Sequence, residues 1–223
     1  MKNLGKLIAL LLAVCVVGVS LTGCFASFDA ALYVKGNIDS SYLGVFDKKF
    51  LDIIVDTEES LKENYEDNLV IEAEYFLYYF EIEEENVPGI KSEVAEMLRE
   101  IYSKAKYEVG KATKAGNSYL VSVTIYPIDI ISKVVEEDFD EAFGDWERRG
   151  ELGEFDDMAD EEIEMLWARI IIDLVKARLG NIGYLEPETI SVQVVVESSN
   201  RSEVLYIISE NDLSRIDQLI LAY

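Results

Sequence analysis

Carboxylates are the side chains of this sequence with the greatest capacity for chemistry, and two runs concentrate them, EEDFDE at 136–141 and DDMADEE at 156–162. Such runs can bind calcium, with Asp156, Asp157 and Asp160 as the candidate ligands, and paired carboxylates can hydrolyse glycosidic bonds. Neither run has the D-x-D-x-D-G order and closing glutamate of an EF-hand. Because acidic pairs arise by chance in so acidic a chain, we interpret both runs as solvated helix faces and predict no metal site and no cofactor.

Missing residue types exclude several classes of enzyme. The 223-residue chain contains no histidine, which is the commonest general base and a frequent metal ligand. Ser-His-Asp and Cys-His catalysis, and zinc sites with histidine ligands, are therefore excluded within one chain. The glycine-containing GELGEF at 150–155 does not follow a strand and lacks the lysine of a phosphate loop. We expect that the protein is not an enzyme, and a hydrolase that uses carboxylates alone is the catalytic alternative.

The charge balance restricts the partners of this protein. Its 44 acidic and 20 basic residues give a net charge of −24, while 50% of the residues are hydrophobic and can form a sizeable core. A strongly negative field repels the phosphates of nucleic acids and the headgroups of anionic lipids. We therefore predict no nucleic-acid partner, and expect a protein, peptide or small-molecule ligand that is neutral, cationic or bound through local apolar patches.

The amino terminus has the three-part pattern of an export signal. Lys2 and Lys6 precede an uncharged apolar run at 7–19, and small or polar residues follow this run. An uncleaved transmembrane anchor is the alternative. Extended to Cys24, the run has about 18 residues, which is short for spanning a bilayer, and no positively charged stop-transfer cluster follows it.

The sequence L-T-G-C at 21–24 resembles the lipobox of bacterial lipoproteins. This resemblance implies that diacylglycerol is attached to the sulfur of Cys24 and that signal peptidase cleaves between Gly23 and Cys24. The protein is then held at the cell membrane by the lipid on Cys24 and faces the extracytoplasmic side. The implied organisation is a cleaved signal peptide at 1–23, a short lipidated tether at 24–28 and a single α+β extracytoplasmic domain at 29–223.

Hydrophobic periodicity predicts several helices and two β-hairpins. In YLVSVTIY at 119–126, apolar and mixed residues alternate, which is typical of a strand with one packed face and one partly wet face. A hairpin followed by a helix occurs at 106–137 and again at 188–222. The segment 144–160, with three glycines and many charges, is predicted to be the least regular part of the chain. We predict an α+β fold, a four-stranded antiparallel sheet packed on several helices.

The wetter face of this sheet is the candidate ligand surface. Mixed polar and apolar side chains on a concave sheet suit the capture of a peptide or small ligand. The alternatives are an ordinary solvated face and a face covered by the segment 139–160. The aromatic segment EYFLYYF at 74–80 is interpreted as helix core rather than as a ligand cage. The predicted ligand face consists of Leu120, Ser122, Thr124, Tyr126, Ser191 and Gln193.

Three further segments, together with the lipobox, resemble uncharacterised surface lipoproteins of Gram-positive bacteria. They are AKYEV at 105–109, VTIYPID at 123–129 and IDLVKARLGN at 172–181. Some such lipoproteins have cystatin-like or NTF2-like folds, in which a curved sheet wraps around helices, although the helices between the two hairpins depart from that pattern. The resemblance implies no assigned activity. We predict a binding or interaction module, with a structural or envelope-stress surface factor as the alternative.

Overall fold

The computed structural model describes the strand Val19–Ser20 and residues 28–200 and 203–223, with side chains described for 28–196 and 205–223. Apart from Val19–Ser20, the predicted signal peptide lies outside the described residues, as do the cleavage site at Gly23 and the lipidation of Cys24. Contacts divide the chain into two compact units, each built from separate parts of the sequence. The sheet unit contains the described residues up to Asn68, Ala105–Pro127 and Glu186–Ile220, and the helical unit contains Leu69–Lys104, Ile128–Leu185 and Leu221–Tyr223.

An antiparallel sheet organises the sheet unit and confirms the predicted α+β class. Its strands lie in the spatial order β1-β5-β4-β3-β2, and every neighbouring pair is antiparallel. Gly116, in the turn between the second and third strands, has a φ of 63°, a conformation that favours glycine in tight hairpins. The strands are β1 (Val19–Ser20), β2 (Lys106–Ala115), β3 (Ser118–Tyr126), β4 (Glu188–Asn200) and β5 (Glu203–Ile208).

Two helices cover one face of this sheet. Helix α1 (Ala30–Ile38) begins after Asp29, whose carboxylate accepts a hydrogen bond from the backbone N of Leu32 at 3.0 Å. A π-helical turn (Asp39–Leu43) and the short helix α2 (Lys48–Leu51) follow. Helix α8 (Glu210–Ile220) also packs on the sheet. Alternate residues of the central strands are buried beneath these helices, at 3% exposure or less: Val121, Val123, Ile125, Ile190, Val192 and Val194.

Close packing and hydrogen bonds fix helix α1 in the sheet unit. A Cβ atom added at Gly36 would lie 2.1 Å from two ring carbons of Phe50, so only glycine lets the buried ring approach the helix backbone. The hydroxyl of Tyr33 donates to the carbonyl oxygen of Tyr206 on β5 at 2.9 Å. The hydroxyl of Tyr107 on β2 donates to the buried carboxylate of Asp39. These contacts join the helix and the turn after it to β5 and β2, which lie on opposite sides of the central strands β4 and β3.

Within the described residues, the helical unit contains the end of one long helix and four further helices. It contains the second part of α3 (Glu58–Tyr79), whose apolar residues Leu69, Ala73 and Phe76 are buried. No helix among the described residues is both long enough and apolar enough to cross a membrane. The other helices of this unit are α4 (Ile90–Tyr102), α5 (Ile130–Lys133), α6 (Phe139–Glu151) and α7 (Asp160–Arg178), with a π-helical turn (Val134–Asp138) and 3₁₀ turns at Glu84–Asn86 and Leu179–Asn181.

Candidate functional site

The six residues of the predicted ligand face share one face of the sheet unit. The register of β3 and β4 places Leu120 opposite Gln193 and Ser122 opposite Ser191, and opposite residues of antiparallel strands project to the same side. Leu120 is 38% exposed, and the side chains of Ser122, Ser191 and Gln193 are also exposed, while Thr124 and Tyr126 are half-buried. The register therefore places these six residues together, and their role as a ligand face stays a prediction.

Hydrogen bonds within the sheet engage several polar groups of this face. The hydroxyl oxygens of Thr124 and Thr189 lie 2.8 Å apart. The hydroxyl of Tyr126 donates to the carboxylate of Glu108 at 3.1 Å, and this hydrogen bond raises the pKa of Tyr126. The ammonium of Lys106 lies 3.9 Å from the centre of the Tyr126 ring. These side chains form cross-strand pairs that stabilise the sheet without any ligand.

A cleft of about 610 Å³ opens in the helical unit. Its volume falls within the range of about 300–1,000 Å³ that is typical of small-molecule sites. Side chains from α3, α6, α7 and the segment after α3 surround it, and we refer to it as the aromatic cleft. Its lining consists of six aromatic residues, three carboxylates and one isoleucine: Tyr79, Phe80, Phe139, Phe143, Trp146, Trp167, Glu81, Asp160, Glu164 and Ile163.

Helical spacing places these side chains on common faces. On α6, Phe139, Phe143 and Trp146 follow one another at intervals of four and three residues, so they lie on one side of the helix. On α7, Asp160, Ile163, Glu164 and Trp167 occupy positions i, i+3, i+4 and i+7, which also define one stripe. Two helical faces thus converge on the cleft.

Among the aromatic residues that line the cleft, Trp167 contacts the rings of Phe139, Phe143 and Trp146. Its ring lies 5.8 Å from Phe139 and 6.2 Å from Phe143, with interplanar angles of 78° and 75°, in the edge-to-face geometry that aromatic pairs prefer. The rings of Phe139 and Phe143 are nearly parallel, with centres 6.0 Å apart. Trp146 lies 5.4 Å from Trp167. The indole N–H of Trp167 donates to the carbonyl oxygen of Phe80 at 3.3 Å, which fixes the orientation of the indole ring.

Glu81 holds an unusual backbone conformation at the cleft. It has a φ of 56° and is the one non-glycine residue with positive φ in the described part of the chain. The backbone N of Ile82 donates to the carbonyl of Leu77 at 2.9 Å, and that of Glu81 donates to Tyr78 at 3.1 Å, which is the pattern of a Schellman motif at the end of α3. Glycine usually occupies this position, so the glutamate stores strain of about 1–3 kcal/mol at the cleft.

Among the side chains that the structure describes, the carboxylates of the cleft have no basic partner. Glu164 accepts hydrogen bonds from the backbone N of Glu83 and, at 2.7 Å, from the amide of Asn86. Within 28–196 and 205–223, no lysine or arginine forms an ion pair with Glu81, Asp160 or Glu164, and no basic residue lines the cleft. The cleft therefore combines aromatic walls with uncompensated negative charge.

The candidate calcium ligands are distributed over two elements. Asp160 is the first residue of α7 and lines the cleft, whereas Asp156 and Asp157 lie in the turn that precedes this helix. In the part of the chain that the structure describes, no group of three or more acidic, cysteine or histidine side chains could hold a metal ion.

Sequence reasoning missed the aromatic cleft. The interpretation of 74–80 as core holds for Phe76, Leu77 and Phe80, which are buried. Tyr78 is 61% exposed, and Tyr79 and Phe80 line the cleft. The segment 144–160 is more regular than predicted, because α6 continues to Glu151. The aromatic stripe on this helix was the available signal, and the interruption of the pattern by glycines concealed it.

A comparison with protein-family models and another with curated proteins each found no match. Among solved structures, the chain is similar to a candidate lipoprotein, ycdA, from Bacillus subtilis subsp. subtilis strain 168, with a TM-score of 0.58. The two sequences are 11% identical, and the similarity covers 87% of this chain and 56% of that protein. The chain thus spans little more than half the length of ycdA, and the two proteins share a fold.

Proposed function

We propose that the protein is a lipid-anchored extracytoplasmic binding module and that the aromatic cleft is its ligand site. The cleft itself carries this proposal, because convergent aromatic side chains beside a few polar groups characterise small-molecule sites. Phe143 is 42% exposed at this cleft, and aromatic surface that remains in contact with water favours a partner that covers it. The proposed role is binding without catalysis.

Two observations support the lipid anchor. The L-T-G-C sequence ends at Cys24 after a charged start and an apolar run, and the fold is shared with a candidate lipoprotein. Two or more acyl chains on one cysteine give stable membrane attachment. The short tether at 24–28 would then hold the start of the sheet unit close to the membrane surface.

Replacement of Cys24 by serine tests the anchor. Because serine has no thiol to receive the lipid, we expect Cys24→Ser to lose attachment to the membrane in cell fractionation. Mass spectrometry of the native membrane-bound protein should show diacylglycerol on Cys24. Unchanged membrane retention of the variant, or a native chain that begins at an unmodified Met1, would contradict the proposed anchor.

Tryptophan fluorescence of the full-length protein tests the ligand site. The chain has two tryptophans, Trp146 and Trp167, and both line the cleft, so their emission reports on its occupancy. Four probes suffice: choline, its neutral isostere 3,3-dimethylbutan-1-ol, the carboxylate 3,3-dimethylbutanoate, and glucose. We expect at least one probe to give a saturable change in emission.

A matched pair of variants assigns this signal to the cleft. Phe143→Ser removes an exposed aromatic side chain from the cleft, and Tyr78→Ser removes a side chain that is 61% exposed and does not line it. We expect the saturable change to be lost in Phe143→Ser and kept in Tyr78→Ser. Binding that persists in Phe143→Ser, or the absence of a saturable change with all four probes, would overturn the proposed ligand site.

A further inference from the structure

We infer that the aromatic cleft selects organic cations and that an alkylated ammonium group is the chemistry it recognises. This inference rests on the proposed function of the cleft as a ligand site and adds the class of its ligand. Three features of the helical unit support it. They are the arrangement of the aromatic rings that line the cleft, an arginine that contacts Trp146, and the carboxylates of the cleft without a basic partner among the described residues.

The rings present their faces in more than one direction. Phe139 and Phe143 are parallel to within 7°, and both are close to perpendicular to Trp167. The plane of Trp146 is inclined to that of Trp167 by 49°. The face of each ring carries partial negative charge, and a cation within about 6 Å of a ring centre is attracted to it, most strongly to tryptophan. Because these four rings all line the cleft, a large cation bound there can contact more than one of them.

The side chain of Arg149 lies near the rings of Trp146 and Phe155. The guanidinium carbon of Arg149 lies 5.7 Å from the centre of the Trp146 ring and 5.4 Å from that of Phe155. Arg149 also forms two hydrogen bonds to the carboxylate of Glu154, at 2.9 Å and 2.6 Å. This arginine does not line the cleft, and Glu154 balances its charge. Trp146 therefore already contacts one cation outside the cleft, and this arginine forms no ion pair with the carboxylates that line the cleft.

The carboxylates of the cleft favour a positively charged ligand. Glu81, Asp160 and Glu164 line the cleft, and no basic residue is among its lining residues. A neutral ligand that covered these groups would remove their water without replacing it by opposite charge, and an anion would be repelled. A cation supplies the missing charge, and the net charge of −24 attracts it over a longer range.

The aromatic lining decides the kind of cation. Small divalent ions require several oxygen ligands around one point, and the described residues contain no such group. An alkylated ammonium ion is larger and less strongly hydrated, and it gains from ring faces without needing hydrogen-bond acceptors. The combination of six aromatic residues with carboxylates that have no basic partner among the described residues matches this ion better than a metal.

A comparison of two isosteric probes tests the inference in the full-length protein. Choline and 3,3-dimethylbutan-1-ol have the same shape and differ in the charge of the branched head. From the strength of cation–π contacts in partly desolvated sites, we expect choline to bind at least about tenfold more tightly when both are titrated against tryptophan emission. The carboxylate 3,3-dimethylbutanoate should bind least.

Neutralising variants identify the carboxylates responsible. Asp160→Asn and Glu164→Gln should each weaken choline binding about three- to tenfold, because each removes one negative charge beside the ligand, and should leave the affinity for the neutral isostere nearly unchanged. Glu161→Gln is the matched control, since Glu161 lies in the same turn of α7, is exposed and does not line the cleft. Circular dichroism verifies that each variant is folded.

The outcomes separate this inference from the proposed function. Equal binding of choline and its neutral isostere, or tighter binding of the isostere or of glucose, would overturn the selection of cations while a ligand site remained. Choline binding that Asp160→Asn, Glu164→Gln and Glu161→Gln weaken equally would overturn the role of the carboxylates. The absence of binding by every probe would overturn both the inference and the proposed function.

Discussion

Replacement of Asp129 by alanine should lower the free energy of unfolding of the protein by about 2–4 kcal/mol. Asp129 is 3% exposed, and both of its carboxylate oxygens have partners. Oδ1 accepts a hydrogen bond from the backbone N of Gly183 at 2.9 Å, and Oδ2 forms an ion pair with Lys133 at 2.7 Å. The variant leaves a partly buried N–H and a lysine without their acceptor, and a cavity where the carboxylate was.

The backbone of Asp129 and Gly183 also joins the two segments that the carboxylate connects. The backbone N of Asp129 donates to the carbonyl of Gly183 at 3.2 Å, so the same two residues are joined by a main-chain and a side-chain hydrogen bond. A Cβ atom at position 183 would lie 2.6 Å from Oδ2 of Asp129, which shows how closely the two segments approach. Loss of the carboxylate therefore loosens the start of α5 and the segment after α7 together.

Urea unfolding of the parent protein and of Asp129→Ala measures the loss of stability. The exposed ion pair between Asp145 and Arg148, in the same unit, provides a matched control. Asp145 and Arg148 are 48% and 68% exposed, and exposed pairs contribute less than about 1 kcal/mol. Asp145→Ala should therefore change stability little. If Asp129→Ala costs no more than Asp145→Ala, the buried carboxylate does not hold these segments together.

The strands were predictable because their pattern is local. Alternation along β3 places Val121, Val123 and Ile125 on one face, and burial of that face alone fixes which side packs against the helices. Asp129 shows the limit of this reasoning. Its hydrogen-bond partner Gly183 lies 54 residues away, and nothing near Asp129 in the sequence distinguishes this carboxylate from the many that are solvated.

The two hairpin-and-helix segments diverge in a way that the sequence does not reveal. Helix α8, after β5, packs on the sheet, whereas α5, after β3, belongs to the helical unit. Both helices carry buried apolar residues, which are Ile130 and Ile131 on α5 and Leu213, Ile216 and Ile220 on α8. The surface that each face meets depends on contacts between distant parts of the chain.

The aromatic cleft was only partly predictable. The spacing of Phe139, Phe143 and Trp146 is visible in the sequence, but Gly144 and Gly150 each cost a helix up to about 1 kcal/mol and pointed to an irregular segment. Contacts such as that of Trp146 with Phe155, whose ring centres lie 4.4 Å apart, favour the helix in spite of them. The convergence of α6 with α7 is a tertiary property that single-helix periodicity cannot supply.

A carboxyl group on α8 should make the stability of the protein depend on pH. The hydroxyl of Tyr42 donates to Oδ1 of Asp217 at 3.1 Å, which favours the charged form, but burial has the larger effect and raises the pKa of Asp217 to about 6. An aspartate in the unfolded chain has a pKa of about 3.9. Between these values the folded state binds the proton more strongly than the unfolded state. The contribution of Asp217 to stability is therefore fully present below about pH 4 and decreases as the pH rises to about 6.

Replacement of Asp217 by asparagine should remove this dependence. The asparagine carbonyl can still accept the hydrogen bond from Tyr42, and no charge has to be buried at neutral pH. We expect Asp217→Asn to raise the free energy of unfolding by about 1–3 kcal/mol at pH 8 and to change it little at pH 4. Urea unfolding at both pH values, on the variant and the parent chain, gives the two differences.

Asp67→Asn provides the control, because Asp67 is an exposed aspartate of α3 in the same unit. Removing its charge changes the net charge by the same amount as Asp217→Asn, so any general reduction of repulsion in this acidic protein affects both variants equally. The excess stabilisation of Asp217→Asn at pH 8 then measures the cost of burying that one carboxylate. An equal gain in the two variants, or a gain of Asp217→Asn that is as large at pH 4 as at pH 8, would show that Asp217 is not the group that loses its proton on unfolding.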